Sequence, residues 1–368
     1  MQLLFGFFYF FYFAIVGVYI IFLPKVLAMS GYSASEIGII FAAGPLVRFM
    51  LPFAFTRGLK LNKRSFDVAL GIMLLSAVSF FFSLESFYKL LASNIALGIG
   101  MSLVLPYIEL IALRSVGGER YGKIRLFGSV GFVLVALVLV KFLSSAVMAL
   151  AFLAILSFLT SIFAFMIVKT MPKIHSQNEE SKNDIDLLAD WKLWLGLTLM
   201  QLSFGSFYNF FTIYETDRGV SLDMTIYLWT FGVLAEIVML FFQGKLLRGN
   251  LLFILQITAF VTALRWFLLF AFAQNLAVLF FAQSLHALSF ALFHSAAISY
   301  LFHIYKHKAL AQQFFSGITY GLGGFSGALL AGYIYEFYPA YLFLSSAFIA
   351  LLAWGFLYLF ARESTSTA

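Results

Sequence analysis

Five ionisable side chains stand inside stretches of this chain that are otherwise fit only for lipid: Arg48, Glu109, Arg125, Glu236 and Arg265. On an insertion scale, one charge at the bilayer centre costs roughly 2.5–3.5 kcal/mol, so five without partners would cost about 15 kcal/mol. That is more than the net stability of a typical fold. The five must therefore face a shared, partly wet interior and offset one another. Charge of both signs at membrane depth is what a solute or proton pathway needs, and a mere anchor has no use for it.

Each group has a chemistry. Arg125 presents a planar donor fork that matches a carboxylate or a pair of hydroxyls; it lies five residues into its segment, so anchoring the helix at the cytoplasmic face is the alternative. Glu109 is the nearest opposite charge, across one short turn, as a structural ion pair or as a pair that opens to receive substrate. Glu236 lies near the middle of its segment. A carboxyl able to take up a proton there suits a proton carrier, and a permanent salt bridge to Arg265 is the alternative. With Arg48, three cations face two acids, and the surplus positive charge favours an anionic solute such as an aromatic or small organic acid. His286 and His294 are eight residues apart on one helix, which on a regular helix separates them by about 80° and about 12 Å. They can flank one cavity but cannot share one metal ion. His303 and His307 have metal-like spacing but sit beside Lys306 and Lys308, and read as a solvated basic loop. Asn209, Trp266 and several tyrosines are candidates to line the path.

The elements that must position these groups follow from composition. Of 368 residues 63% are hydrophobic and 11% charged, with 48 Phe and a mean hydropathy of +0.99. Soluble domains carry about 25% charge, so this is an integral membrane chain. No Cys is present, which excludes disulfides and thiolate metal sites. Nothing calls for a cofactor. A helix needs about 20 apolar residues to cross the hydrocarbon. Twelve such segments are expected, at 3–27, 36–55, 66–84, 87–113, 121–142, 147–168, 191–214, 224–246, 251–272, 276–302, 312–336 and 340–360. The first reads as a retained span rather than a cleaved signal peptide.

The net charge of +7 lies in the loops. With both termini in the cytoplasm, the cytoplasmic loops hold sixteen Lys and Arg and the opposite side four, namely Lys25, Lys89, Lys141 and Arg218. The basic balance is thus a topology signal near anionic lipid, not a nucleic-acid footprint. A polar stretch divides the segments six and six. The expected domains are a bundle at 1–168, a flexible cytoplasmic linker at 169–190 and a bundle at 191–368. Six plus six around a linker is the pattern of many secondary transporters built from repeats. Gly317, Gly321, Gly323, Gly324, Gly327 and Gly332 crowd one segment, Gly128 and Gly131 lie in another, and Pro45, Pro52 and Pro106 interrupt two more. This concentration favours close helix approach and locally broken helices over a rigid pore.

Several pieces, in order, resemble a known family. They are YGKIRLFGSVGF from Tyr121 to Phe132, Pro45-Leu46-Val47-Arg48, and Pro106-Tyr107-Ile108-Glu109. Gly232 to Glu236, Ala263 to Trp266, and Gln283 to Phe290 with His294 complete the set. They resemble the lactose permease-like branch of the major facilitator superfamily, and within it the 3-phenylpropionate transporter subgroup, over nearly the whole chain. The resemblance implies an all-α membrane protein of 12 transmembrane helices in two pseudo-symmetric six-helix bundles, performing proton-coupled uptake with a substrate site between the bundles. It implies that Arg125 and Glu109 hold substrate and that Arg265 and His286 belong to the coupling set. Two departures stand out. Ser289 occupies the position where that family carries an acid one turn after the histidine, and Phe55-Thr56-Arg57-Gly58 lacks the acid usual after the second helix. The proton-carrier role then falls to Glu236.

The expected function is secondary active transport of a small organic solute together with protons in the inner (plasma) membrane, by a monomer with no nucleic-acid partner. Arg125, Glu109, Arg48, Asn209 and Trp266 are the expected substrate contacts, and Glu236, Arg265, His286 and His294 the coupling set. Nucleosides and sugars are the alternative solutes, and a non-transporting sensor the alternative class. Enzyme motifs such as HExxH and Gly-x-Ser-x-Gly are missing, as is a phosphate loop.

Overall fold

In a computed structural model, residues 2–116, 118–142, 145–170 and 185–366 are described. Among them secondary structure is entirely helical. In chain order the helices are α1 (Gln2–Met29), α2 (Ala34–Thr56), α3 (Lys63–Phe82), α4 (Phe87–Val116), α5 (Gly118–Phe142) and α6 (Ala146–Thr170). Then follow α7 (Trp191–Ser203), α8 (Gly205–Asp217), α9 (Leu222–Leu246), α10 (Leu251–Ala271), α11 (Leu276–Ile304), α12 (Leu310–Phe337) and α13 (Pro339–Glu363). The starts are written in the sequence. Ser33 caps α2 and shares a capping box with Glu36, while Asn62, Ser221, Asn250 and Asn275 accept from the first turns of α3, α9, α10 and α11.

Eleven of the described helices are long and apolar enough to cross a membrane. The predicted segment at 191–214 is the exception. It forms two helices of 13 residues each, joined by a non-helical Phe204. The break sits beside a close helix crossing. A Cβ on Gly205 would lie 2.3 Å from the backbone of Gly327, and one on Gly327 would lie 2.5 Å from the Leu202 carbonyl. The two backbones touch here, which a side chain on either residue would prevent.

The chain divides into two compact units, Met1–Glu179 and Glu180–Ala368. In the first, α1 packs on α5 and α6, α4 packs on α2 and α3, and α3 reaches α6. In the second, the α7–α8 pair packs on α12 and α13, α11 packs on α9 and α10, and α10 reaches α13. The pairings correspond one for one once α7 and α8 are counted together. The glycines correspond too: a Cβ on Gly131 of α5 would lie 2.0 Å from the Phe10 carbonyl of α1, the counterpart of the α12 contact with α7 and α8. Most of the predicted linker, residues 171–184, lies outside the described residues.

The prolines do not break their helices: Pro45 and Pro52 lie inside α2, and Pro106 inside α4. The departures from regular α-helix fall elsewhere. Besides the junction at Phe204, i→i+5 stretches occur in α1 at Val18–Phe22, in α11 at Ala287–Leu292 and in α12 at Phe315–Leu322. Such insertions cluster at functional sites. At the linker end of the second unit, Tyr305 donates to Asp190 and accepts from the Trp194 indole at 3.1 Å. Burial, followed by that bond to Asp190, raises the Tyr305 phenol above its ordinary range.

Overpacking a filled helix crossing costs about 1–3 kcal/mol. Gly131→Ala and Gly327→Ala are each expected to lower thermal stability in detergent by that order. Gly355→Ala, whose added methyl meets nothing within 4 Å, is expected to leave it unchanged. Equal melting of all three would show that the crossings are not tight.

Candidate functional site

The second unit buries a guanidinium completely. Arg265 of α10 has 0% exposure. Its Nη2 donates to Gln283 Oε1 at 2.8 Å, and its Nη1 meets His286 Nδ1 at 2.9 Å and Ser289 Oγ at 3.2 Å. The three partners lie on α11 at successive spacings of three, one face of a helix. The rings of Phe207 and Trp266 cover the cation at 4.3 and 4.5 Å, and Phe204 lies at 5.9 Å. A desolvated cation over an aromatic face gains about 2 kcal/mol or more.

These bonds fix the histidine. A guanidinium only donates, so His286 Nδ1 must accept, and the ring proton sits on Nε2. Nε2 faces Glu236 Oε2 at 3.5 Å, a contact more electrostatic than hydrogen-bonded. The neutral imidazole thus stands between cation and carboxylate, donating toward one and accepting from the other. Among the described residues Arg265 and Glu236 form no direct ion pair, so in place of the alternative of a permanent bridge the two are connected through His286. A proton added to Nδ1 would point one N–H at another beside a like charge. Glu236, with its side chain 18% exposed, is the member of the three that reaches the surface of the unit and makes no contact with the arginine.

In the first unit Arg125 Nη1 lies 3.7 Å from Glu109 Oε1, with side-chain exposures of 49% and 24%. A half-exposed pair of that length contributes only about 0–1 kcal/mol to stability. The Arg125 guanidinium lies 5.9 Å from the Phe13 ring centroid. Tyr12 is within electrostatic reach of Arg48, Glu109 and Arg125 together, and its hydroxyl donates to the Met101 carbonyl at 3.1 Å. Two cations, one acid and two aromatic rings thus gather where α1, α2, α4 and α5 come together.

The other expected residues are placed differently. Trp266 is fully buried; its indole N–H donates to Ser203 Oγ at 3.1 Å and its ring supports Arg265. Asn209 is buried too and donates to the Gly205 carbonyl of its own helix at 2.7 Å. His294 stands apart from His286. Its Nδ1 meets Tyr320 Oη at 2.7 Å, tying the i→i+5 stretch of α12 to α11. The regular-helix angle between the two histidines does not apply, because Ala287–Leu292 between them winds more widely. Ser289, standing where an acid was expected, accepts from Arg265 instead of carrying a proton. Sequence reasoning assigned no role to Gln283 or Phe207, and named Tyr12 only among the aromatics that could line the path. The spacing of three between Gln283 and His286 was the available signal; the aromatic neighbours carried none among so many Phe.

His286→Leu strips one partner from the buried cation and the nearest from Glu236, and is expected to cost about 1–3 kcal/mol. His286→Gln, whose amide both accepts and donates, is expected to keep most of that stability. Thermal unfolding in nanodiscs reads the difference, and equal losses in both variants would contradict the relay.

The comparisons agree with this architecture. The model described as "MFS_1 like family" matches residues 3–345. The chain is 27% identical over 363 residues to the "Probable 3-phenylpropionic acid transporter" of Escherichia coli strain K12, covering 94% of each chain. It is 25% identical over 365 residues to the "Uncharacterized transporter YwbF" of Bacillus subtilis strain 168, covering 90% of this chain and 86% of that one. Among solved structures, the nucleoside transporter NupG superposes with a TM-score of 0.80 at 16% identity over 98% of each chain. The POT family transporter PepTSo superposes with a TM-score of 0.79 at 10% identity, over 99% of this chain and 98% of its own. These two show the fold alone. Matched over nearly its whole length, the chain belongs to the MFS_1-like family: it is a multi-pass membrane transporter of the major facilitator type, not an enzyme.

Proposed function

We propose that this transporter imports a small organic anion, an aromatic or other organic acid, together with protons, by alternating access in the plasma membrane with both termini cytoplasmic. The observation that carries the reading is the buried acid–imidazole–guanidinium relay of Glu236, His286 and Arg265. A protonated Glu236 would leave the Arg265 charge without its counter-ion, so proton occupancy and the arrangement of α9, α10 and α11 are linked. Two states differing by one buried charge are what coupling requires.

The solute class rests on the first unit. Arg48 and Arg125 against Glu109 leave one surplus positive charge, and Arg125 offers a bidentate fork to a carboxylate. Phe13 and Tyr12 beside it favour a flat apolar body. The name of the E. coli relative supports an aromatic acid. We also propose that His294 with Tyr320 takes part in coupling, since that bond ties the irregular stretch of α12 to α11 two residues beyond its own irregular stretch. Trp266 and Asn209 act in this reading as buried supports rather than as first contacts with solute.

Purified protein in liposomes with labelled 3-phenylpropionate under an imposed pH gradient tests this. Glu236→Gln is expected to lose uphill accumulation and keep counterflow. Arg125→Ala is expected to lose both by at least tenfold, the removal of a charge-assisted bidentate contact worth about 1.5–3 kcal/mol. Accumulation in Glu236→Gln at wild-type level would remove it from coupling. Orientation is read separately: in this cysteine-free chain, Ser30→Cys is expected to react with an impermeant thiol reagent from outside and Lys60→Cys only from inside. The opposite labelling would invert the topology.

A further inference from the structure

Glu215, in the last turn of α8, is a second buried acid that the relay does not use. It has 0% exposure, and among the described residues neither of its carboxyl oxygens has a hydrogen-bond partner. Tyr214 beside it is also fully buried, with its hydroxyl unpartnered. An ionised carboxylate in such a place keeps neither water nor a donor, and breaking such isolation is what buried charges normally require. The end of a helix where carbonyls converge makes an anion still less welcome.

The cation that would relieve it is close but engaged elsewhere. Arg218 lies three residues on, the spacing at which helical side chains meet. Its guanidinium instead rests 3.6 Å from the Tyr214 ring centroid. Its electrostatic influence does reach the Glu215 carboxyl. The titratable groups at this end of the unit are Tyr214, Asp217 and Arg218 beside it, Asp223 and Tyr227 in the first turns of α9, Tyr333, Tyr335 and Glu336 on α12, Tyr338 after it, and Tyr341 at the start of α13. Of these, Asp217 is occupied in accepting from Tyr335 Oη at 2.8 Å. Tyr214 is the other group in electrostatic contact with Glu215.

We propose that Glu215 is a second proton-binding site of this transporter, holding its proton while buried and releasing it when Arg218 swings from the Tyr214 ring onto the carboxyl. The step balances: the neutral acid and the ring-bound guanidinium become a carboxylate–guanidinium pair, and one proton leaves. The trigger is local, because only the terminal turn of α8 and the Arg218 side chain need move. The site is separate from Glu236, which keeps its histidine partner throughout. Its part in transport rests on the proton-coupled reading above, but its proton occupancy does not.

Infrared difference spectroscopy of the full-length protein in phosphatidylcholine nanodiscs tests it. At neutral pH the wild type is expected to show the carbonyl stretch of a buried neutral carboxylic acid, shifted down in deuterium oxide. Glu215→Gln is expected to lose that band and Glu236→Gln to keep it. Arg218→Gln is expected to hold the band to more alkaline pH than wild type, because the cation that stabilises the ionised form is gone. Glu215→Leu serves if the glutamine variant fails to fold. A band unchanged in a folded Glu215 variant would overturn the proposal. A band lost as expected, in a protein whose solute uptake ignores the pH gradient, would overturn the coupling reading and leave this site standing.

Discussion

A guanidinium with no water around it governs the second unit. Arg265 cannot shed its charge, so the surrounding helices must supply acceptors, a counter-ion and polarisable faces at once. Gln283, His286 and Ser289 of α11 supply the acceptors, Phe207 and Trp266 the faces, and Glu236 the opposite charge at one remove. Three helices that could otherwise slide on apolar contacts are thereby held in register by one cation. In the proposed function, the imidazole and the carboxyl in that balance are what would link the register to protons.

Glycine seams recur in both units, and in the second the irregular turns lie apart from them. Backbones touch at glycine where α1 crosses α5 and where α7 and α8 cross α12. Those contacts tolerate no added atom, so they behave as fixed seams. The irregular turns lie beside the polar side chains: Ala287–Leu292 follows His286 directly, and Phe315–Leu322 carries Tyr320 to His294. A widened turn changes which face a side chain occupies with little cost in packing. The arrangement sets the charge relay on the adjustable segments and leaves the glycine seams to hold each bundle together.

Most of the fold was legible because lipid imposes a simple rule: long apolar runs between basic loops must be helices. The segment at 191–214 departs from that rule in one respect, forming two helices in place of one. Its composition is continuous, and nothing in it announces the non-helical Phe204, which lies beside the close crossing with Gly327. Charged site residues were legible for the same reason, since a charge in an apolar run is conspicuous. Their partners were not. Gln283 and Ser289 are ordinary polar residues until the helix face is known, and Phe207 is one of 48 phenylalanines. Nor could the sequence show that Trp266 and Asn209, expected to contact solute, each hydrogen-bond a neighbour inside their own unit. Glu215 escaped notice because it lies one residue beyond the predicted end of its segment.

The central claim is that His286 stands as a neutral imidazole between a cation and an acid. Nitrogen-15 NMR of histidine-labelled protein in lipid, subtracting the spectrum of a His286→Gln variant, observes this directly. The account predicts a single neutral ring with its proton on Nε2 and an acceptor Nδ1 at neutral pH. An imidazolium signal, or a ring protonated on Nδ1, would contradict it.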